Sequence, residues 1–136
     1  MLTRPTTEQV LVGIATELRD TIAPLVSDGP ATVLLGQIDQ ILRGLAVRAA
    51  HEIAWMHEEA DSIAAVTGTD VGWPESLHLD DVVAWYDSVS RVLSGALDEA
   101  FAAGDAARVA ELKQLLDARS ATEMRIVGGF ELVGRG

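Results

Sequence analysis

Hydrophobic residues recur every three or four positions along most of this chain, which is the spacing of an amphipathic α-helix. The longest such stretch runs from Pro30 to about Val66 and predicts one long second helix. Six apolar residues fall on a single stripe of that helix: Leu34, Ile38, Ile41, Leu45, Met56 and Ile63. We expect this stripe to face the hydrophobic core.

Three charged residues, Arg48, Glu52 and Glu59, fall on the same stripe. Charges on a core face are costly unless they are paired. Arg48 and Glu52 are four positions apart, so their side chains can meet on one helix face. The pattern favours a structural ion pair in the core. Two alternatives stay open: a charged group that orients a ligand or a partner residue, and part of an interface with another chain.

Turn residues and caps predict three further helices. The first begins near Thr6, which with Gln9 has the spacing of an N-terminal cap, and carries an apolar stripe of Leu11, Ile14, Leu18, Ile22 and Leu25. Pro24 kinks or ends it. The third helix begins at about residue 80, and the fourth covers about residues 106–126.

Short links at residues 27–30 and 104–105 predict that the helices they join are antiparallel neighbours. The predicted fold is therefore all-α: an antiparallel up-down four-helix bundle with one long second helix. At 136 residues, the chain fits a single domain, with a short flexible tail from about residue 128.

Residues 67–79 form the longest predicted loop and contain Trp73. Long loops are often functional, or else pack as a lid over the core. Trp55 lies at the edge of the apolar stripe, whereas Trp85 lies on the buried side of the third helix. Tryptophans at edges and in loops are enriched at partner contacts, but they also cap helical bundles by packing. Both interpretations stay open for Trp55 and Trp73.

The net charge of −11 sets limits on the partners of the protein. Such an acidic chain repels phosphate backbones and anionic lipids, so we expect no binding to nucleic acid or membranes. The chain has no cysteine, which excludes disulfides and thiol chemistry. Its first residues do not have the pattern of a signal peptide, and charges interrupt every predicted helix. We expect a cytoplasmic protein.

His51 and His57 have acidic neighbours, but their spacing matches no metal motif of helical proteins. The sequence also lacks a nucleophile elbow and a phosphate-binding loop. We therefore predict no catalytic residue, no metal and no cofactor within the chain. The residues selected as a candidate interface or buried polar cluster are Arg48, His51, Glu52, Trp55, Glu59 and Trp73.

Two segments, residues 4–11 and 41–52, resemble a family of small helical bacterial proteins. Members usually open with an Arg-Pro helix start and carry a long second helix with arginine and glutamate. They accompany aminoglycoside-phosphotransferase-like kinases and acyl-CoA dehydrogenases. The resemblance implies an accessory subunit of a kinase that phosphorylates a hydroxyacyl-CoA during acid catabolism. The family has no established catalytic residues to transfer to this chain.

Three functions are consistent with the sequence. The first is a non-catalytic accessory subunit that binds and stabilises a phosphotransferase-like kinase. The second is a small ligand-binding or enzymatic bundle that uses Arg48, His51 and Glu52. The third is a homo-oligomeric bundle, such as a homodimer, because the second helix is long for its neighbours to cover.

Overall fold

The computed structural model describes residues 4–127, and all regular structure within that range is helical. The four α-helices are α1 (Thr7–Glu17), α2 (Gly29–Thr67), α3 (Leu79–Ala103) and α4 (Ala106–Val127). A π-helical turn (Leu18–Ile22) and a 3-10 turn (Ala23–Leu25) follow α1. The all-α class, the four helices and the long second helix are confirmed. The predicted tail lies outside the described residues.

Local side-chain chemistry fixes where the first two helices begin. The Thr6 hydroxyl accepts a hydrogen bond from the Gln9 backbone N–H at 3.2 Å, and the Gln9 side chain accepts one from the Thr6 N–H at 3.0 Å. This reciprocal cap is the predicted one. The Asp28 carboxylate caps α2 by accepting a hydrogen bond from the Ala31 N–H at 3.0 Å. Pro24 lies in the 3-10 turn, where its fixed φ and missing N–H help to end the first helical segment.

The link between α3 and α4 is a two-residue turn. Gly104 takes a left-handed conformation, with φ of 67°, that favours glycine and ends α3. Asp105 then caps α4 by accepting a hydrogen bond from the Arg108 N–H at 2.9 Å. Together these residues account for the short link at residues 104–105 that the sequence predicts.

Backbone contacts divide the chain into two compact units. The terminal unit comprises Met1–Glu52 with Glu123–Gly136, and the central unit comprises Ile53–Thr122. Both α2 and α4 contribute residues to each unit. None of the helices described between residues 4 and 127 has the length and apolar character needed to span a membrane.

The central unit contains a hydrophobic core of large side chains. Its buried residues come from α2, α3 and α4: Ile63, Val82, Trp85, Val89, Leu93, Ala100 and Leu112. Met56 packs against this cluster, and Ile63 is within it. The part of the predicted α2 stripe that lies in this unit therefore faces the core, as expected.

The terminal unit is different. Its buried residues, among those described, are the alanines Ala15 and Ala46. Leu34, Ile41 and Leu45 remain 56%, 46% and 44% exposed, so the prediction that they face the core is wrong. α2 instead turns inward the side that carries Ala46, about 100° around the helix axis from Leu45.

Three residues of the first predicted stripe, Ile14, Ile22 and Leu25, are also exposed, at 47%, 40% and 79%. The helix that should have carried this stripe ends at Glu17 and continues as π-helical and 3-10 turns. These turns change the rotation per residue, so residues 22 and 25 do not continue the face that α1 begins.

A glycine allows α4 to approach α2 within the terminal unit. A Cβ atom on Gly44 would lie 2.9 Å from the backbone oxygen of Ile126, which is closer than real Cβ contacts. The end of α4 therefore passes directly against α2 at this position.

An ion pair on α2 is connected electrostatically to the π-helical turn. Arg43 donates hydrogen bonds of 2.9 and 3.0 Å to the two Asp39 oxygens. These bonds hold the pKa of Asp39 below its ordinary value; partial burial opposes the shift, while the positive charges of Arg43 and Arg19 reinforce it. The bond to Asp39 likewise raises the pKa of Arg43.

Candidate functional site

The loop between α2 and α3, residues 68–78, is fixed by its own hydrogen bonds. The Asp70 carboxylate accepts one from the Gly72 N–H at 2.7 Å, and Gly72 takes a left-handed conformation with φ of 71°. The Ser76 hydroxyl accepts a bond from the His78 N–H at 3.0 Å and donates to the Asp81 carboxylate at 2.5 Å. The loop thus has a defined backbone path.

Trp85 ties the middle of this loop to the core of the central unit. Its side chain is only 6% exposed, and its indole N–H donates a hydrogen bond to the Gly72 carbonyl at 2.8 Å. The bond satisfies a buried polar group of the indole and holds the residue that precedes Trp73. Trp85 is therefore a core residue, as predicted, and also an anchor for the loop.

Trp73 is held against the protein although most of its surface is exposed. The His57 ring centroid lies 4.0 Å from that of Trp73 and 4.4 Å from that of Trp85, with interplanar angles of 33° and 32°. The three rings form a stack from the loop through α2 to α3. Trp73 remains 76% exposed, so the stack presents a large apolar side chain from a fixed position.

His57 carries one unsatisfied polar atom within this stack. Its Nε2 is buried and has no hydrogen-bond partner. Such an atom costs about 1–3 kcal/mol when it is left unpaired, and the packing of the two indole rings offsets part of that cost. No group of three or more His, Cys, Asp or Glu residues within 4–127 is arranged to hold a metal ion.

Exposed apolar residues continue from Trp73 into the start of α3. Leu77, Leu79 and Val83 are 69%, 54% and 44% exposed. Together with Trp73 they define what we call the Trp73 surface. The four residues lie within eleven positions of the sequence, and contiguous exposed apolar groups are typical of protein–protein contact sites.

The chain around the Trp73 surface is strongly acidic. Residues 49–90 contain nine Asp or Glu residues and no Lys or Arg. Because like charges repel and opposite charges attract, a partner for this surface is expected to present basic groups around its apolar contact.

Glu59 belongs to a second polar cluster of the central unit. Its carboxylate accepts a hydrogen bond from Arg119 Nε at 2.6 Å and one from the Tyr86 hydroxyl. Arg119 also donates to the Ser90 hydroxyl at 3.3 Å, and its guanidinium carbon lies 5.4 Å from the centre of the Tyr86 ring. The Glu59 and Arg119 side chains are 16% and 25% exposed, so this charge is largely shielded and fully paired.

Arg48 and Glu52 pair as their spacing predicts, with 2.9 Å between Arg48 Nε and a Glu52 oxygen. The Arg48 side chain is 52% exposed and that of Glu52 is 21% exposed. The prediction of an ion pair in the core is therefore wrong, because this side of α2 faces outward in the terminal unit. The interpretation of the pair as part of an interface stays a prediction.

The six candidate residues divide between the two units. Arg48, Glu52 and the exposed His51 belong to the terminal unit, whereas Glu59, Trp73 and the half-buried Trp55 belong to the central unit. Glu59 takes part in the Arg119 cluster and Trp73 in the ring stack.

The sequence analysis did not identify Arg119 as a site residue. Arg119 is seven positions after Leu112, which places it on the apolar face of α4. Arg119 is a cation on the apolar face of α4, and Glu59 is an anion on the apolar stripe of α2. These opposite charges on two apolar faces were the signal that could have linked the two residues. No comparable signal identifies His57 as the spacer between two tryptophans, because the three rings come from separate segments.

An open groove of about 470 Å³ lies elsewhere in the central unit, and small residues of α3 contribute to its wall. Arg108 lines it, and donates hydrogen bonds of 2.5 Å to both the Val66 carbonyl and the Glu111 carboxylate. None of the six candidate residues lines this groove, so it does not support the predicted ligand site around Arg48.

Comparisons of the chain with protein families, curated proteins and solved structures find no match. The resemblance of residues 4–11 and 41–52 to kinase-associated proteins therefore stays a prediction. Within the geometry of the site, the most prominent feature is Trp73, which is exposed and stacked on His57.

Proposed function

We propose that this protein is a non-catalytic accessory subunit that binds a partner protein through the Trp73 surface. The observation that carries the proposal is Trp73 itself, which is 76% exposed and stacked on His57. Tryptophan is enriched among the few interface residues that supply most of the binding free energy.

The geometry favours binding because Trp73 is already positioned. A side chain that is ordered before association loses little conformational entropy when it binds. The stack on His57 and the hydrogen bond from Trp85 to Gly72 provide this order. The indole of Trp73 would insert into an apolar depression on the partner. Leu77, Leu79 and Val83 would form the contact around it.

We propose a phosphotransferase-like kinase that acts on a hydroxyacyl-CoA as the partner, in the cytoplasm. The sequence resemblance suggests this class of kinase, and the acidic surroundings of Trp73 require that its docking face be basic. Association should therefore weaken as salt concentration rises, because screening reduces the attraction between opposite charges.

We also propose the antiparallel up-down order of the four helices. The two-residue turn at Gly104 and Asp105 supports it for α3 and α4. Pairs of spin labels test it, with one label near the start of α3 and the other in the second half of α4, because an antiparallel pair gives short distances between these two segments. Long distances there would contradict the arrangement.

Co-purification with the kinase tests the proposed function. The kinase is co-expressed with the wild-type protein, with Trp73→Ala, or with Phe101→Ala, a control at a residue 64% exposed and outside the Trp73 surface. We expect a stoichiometric complex with the wild type and the control. Trp73→Ala should weaken binding by more than about 30-fold, since such residues contribute at least about 2 kcal/mol.

Two outcomes would contradict different parts of the proposal. A wild-type protein that forms no complex with the kinase would rule out this partner. A complex that Trp73→Ala leaves unchanged would rule out the Trp73 surface as its binding site. Circular dichroism of each variant confirms that the helices are intact before binding is compared.

A further inference from the structure

α2 carries a second apolar face that is largely exposed among the described residues of its unit. Leu34, Ile38, Ile41 and Leu45 are spaced by four, three and four residues, which is the spacing of the contact positions in a coiled coil. Leu34, Ile41 and Leu45 are 56%, 46% and 44% exposed, and Ile38 is half-buried. We call these four residues the outer seam.

Among its described residues, the terminal unit has no large buried side chain. Ala15 and Ala46 are its buried apolar residues among those described, whereas the central unit buries five large side chains almost completely. Buried apolar area is the main favourable contribution to folding, so small units with little of it depend on other contacts. Covering the outer seam would supply this area.

The charge of the terminal unit permits association with an identical unit. Its described residues include five Lys or Arg and seven Asp or Glu, which gives a net charge of −2. The central unit has four Lys or Arg and thirteen Asp or Glu, which gives a net charge of −9. Repulsion between two copies therefore arises mainly from the charges of the central unit.

We propose that two copies of this chain pair along their outer seams in antiparallel orientation, related by a two-fold axis. Leu34 of each copy then lies opposite Leu45 of the other, and Ile38 lies opposite Ile41. The apolar stripe is complementary to itself, as a symmetric interface requires. The second copy is thus the occupant of the seam.

Arg48 and Glu52 determine the orientation, because they continue the outer seam beyond Leu45. Parallel pairing would place Arg48 against Arg48 and Glu52 against Glu52, and such contacts between like charges are unfavourable. Antiparallel pairing carries both residues past the apolar contact to the start of α2 in the other copy. In this register Arg48 lies opposite residue 31 of the other copy and Glu52 lies opposite residue 27, so neither residue faces its own counterpart.

The α2 helices are already formed before they meet, which makes a short seam sufficient. An isolated coiled coil needs several heptads because pairing must also stabilise the helices. Here α2 extends over 39 residues and is held in both units. The proposal does not depend on the proposed function, because the outer seam and the Trp73 surface lie in different units.

Sedimentation and light scattering over a range of concentrations test the pairing. We expect the wild-type protein to have about twice the chain mass of 14.4 kDa. Ile41→Gln combined with Leu45→Gln should give the single-chain mass, with at least a 100-fold weaker dimer. Phe101→Gln, at an exposed residue of the central unit, is the matched control and should remain dimeric.

Cysteine cross-linking tests the orientation, and the absence of natural cysteines makes any disulfide attributable to the introduced residues. Leu34→Cys and Leu45→Cys proteins are oxidised separately and as a mixture. Antiparallel pairing predicts disulfides mainly in the mixture, because residues 34 and 45 lie opposite each other. Efficient linkage of Leu34→Cys with itself would overturn the antiparallel arrangement.

Monomeric wild-type protein at high concentration would overturn the proposal. One explanation for a monomer is that residues 128–136 of the same chain cover the outer seam. A variant that ends at Val127 would then associate, whereas the full chain would not. The other explanation is that a different protein, and not a second copy, covers the outer seam. Trp73→Ala should stay dimeric, so loss of kinase binding and loss of pairing are distinguishable.

Discussion

The two units of this chain contrast in where their apolar side chains lie. The central unit buries Ile63, Leu93 and Leu112 and carries most of the negative charge. The terminal unit buries two alanines among its described residues, leaves Leu34 and Leu45 exposed, and is nearly neutral. The difference indicates that the central unit has a hydrophobic core of large side chains, whereas the terminal unit leaves large apolar side chains available for a contact.

α2 contributes apolar side chains to the packed core of the central unit and to the exposed face of the terminal unit. α2 has the same apolar spacing before and after residue 52, yet Met56 and Ile63 pack in the core while Ile41 does not. Helical periodicity therefore identifies a face that is suited to burial, but it does not identify what covers that face.

The largest expected difference between the units concerns truncated leucines. Leu112→Ala should lower the free energy of unfolding by about 2–5 kcal/mol, because it leaves a cavity in a fully buried cluster. Leu45→Ala, measured at a concentration at which the protein is a single chain, should lower it by less than about 1 kcal/mol. Urea denaturation measures both values. Equal losses would show that the two units are packed alike.

The two ion pairs give the next comparison. Arg119→Met should destabilise the protein by about 2–3 kcal/mol, because it leaves the Glu59 carboxylate shielded and without its cation. Arg48→Met should change stability by less than about 1 kcal/mol, because that pair is largely exposed. A double variant, Arg119→Met with Glu59→Leu, should recover part of the first loss. If it recovers none, the shielded charge is not the cause.

Short-range features of this fold were predictable from sequence. The cap formed by Thr6 and Gln9 and the short link at residues 104–105 depend on residues within a few positions of each other, and both were predicted. The direction in which α2 faces was not predictable, because it depends on the close approach at Gly44 and on residues far along the chain.

The candidate site was predictable only in part. The loop position of Trp73 was sufficient to identify it as a partner-contact candidate. The contacts that hold Trp73 in place were not predictable, because the stack with His57 and Trp85 joins a loop and two helices. Pairwise spacing predicted the Arg48–Glu52 ion pair correctly, but not its exposure.

A smaller effect should follow from changing the loop anchor of the central unit. Trp85→Phe keeps an aromatic ring in the core but removes the hydrogen bond to Gly72. We expect a stability loss of about 1 kcal/mol from the lost bond, a further loss because the smaller ring packs less well, and faster amide exchange in residues 68–78. Unchanged exchange there would show that the loop does not depend on this bond.

The smallest expected effect is the change in stability at low pH. Because the pKa of Asp39 is lowered in the folded protein, its pair with Arg43 adds stability above the unfolded pKa of about 4 and loses it as pH falls through the folded value. Asp39→Asn should therefore destabilise the protein at pH 7 more than at pH 3, as measured by thermal unfolding. An identical loss at both values would contradict this role.

Hydrogen exchange followed by mass spectrometry tests the contrast between the units most directly. Wild-type protein and the Ile41→Gln, Leu45→Gln variant are compared at one concentration at which the wild type is paired. The account predicts faster exchange in the variant for residues 34–46 and unchanged exchange for residues 82–93 of the central core. Equal exchange of residues 34–46 in both proteins would contradict the claim that the terminal unit is completed by a second copy.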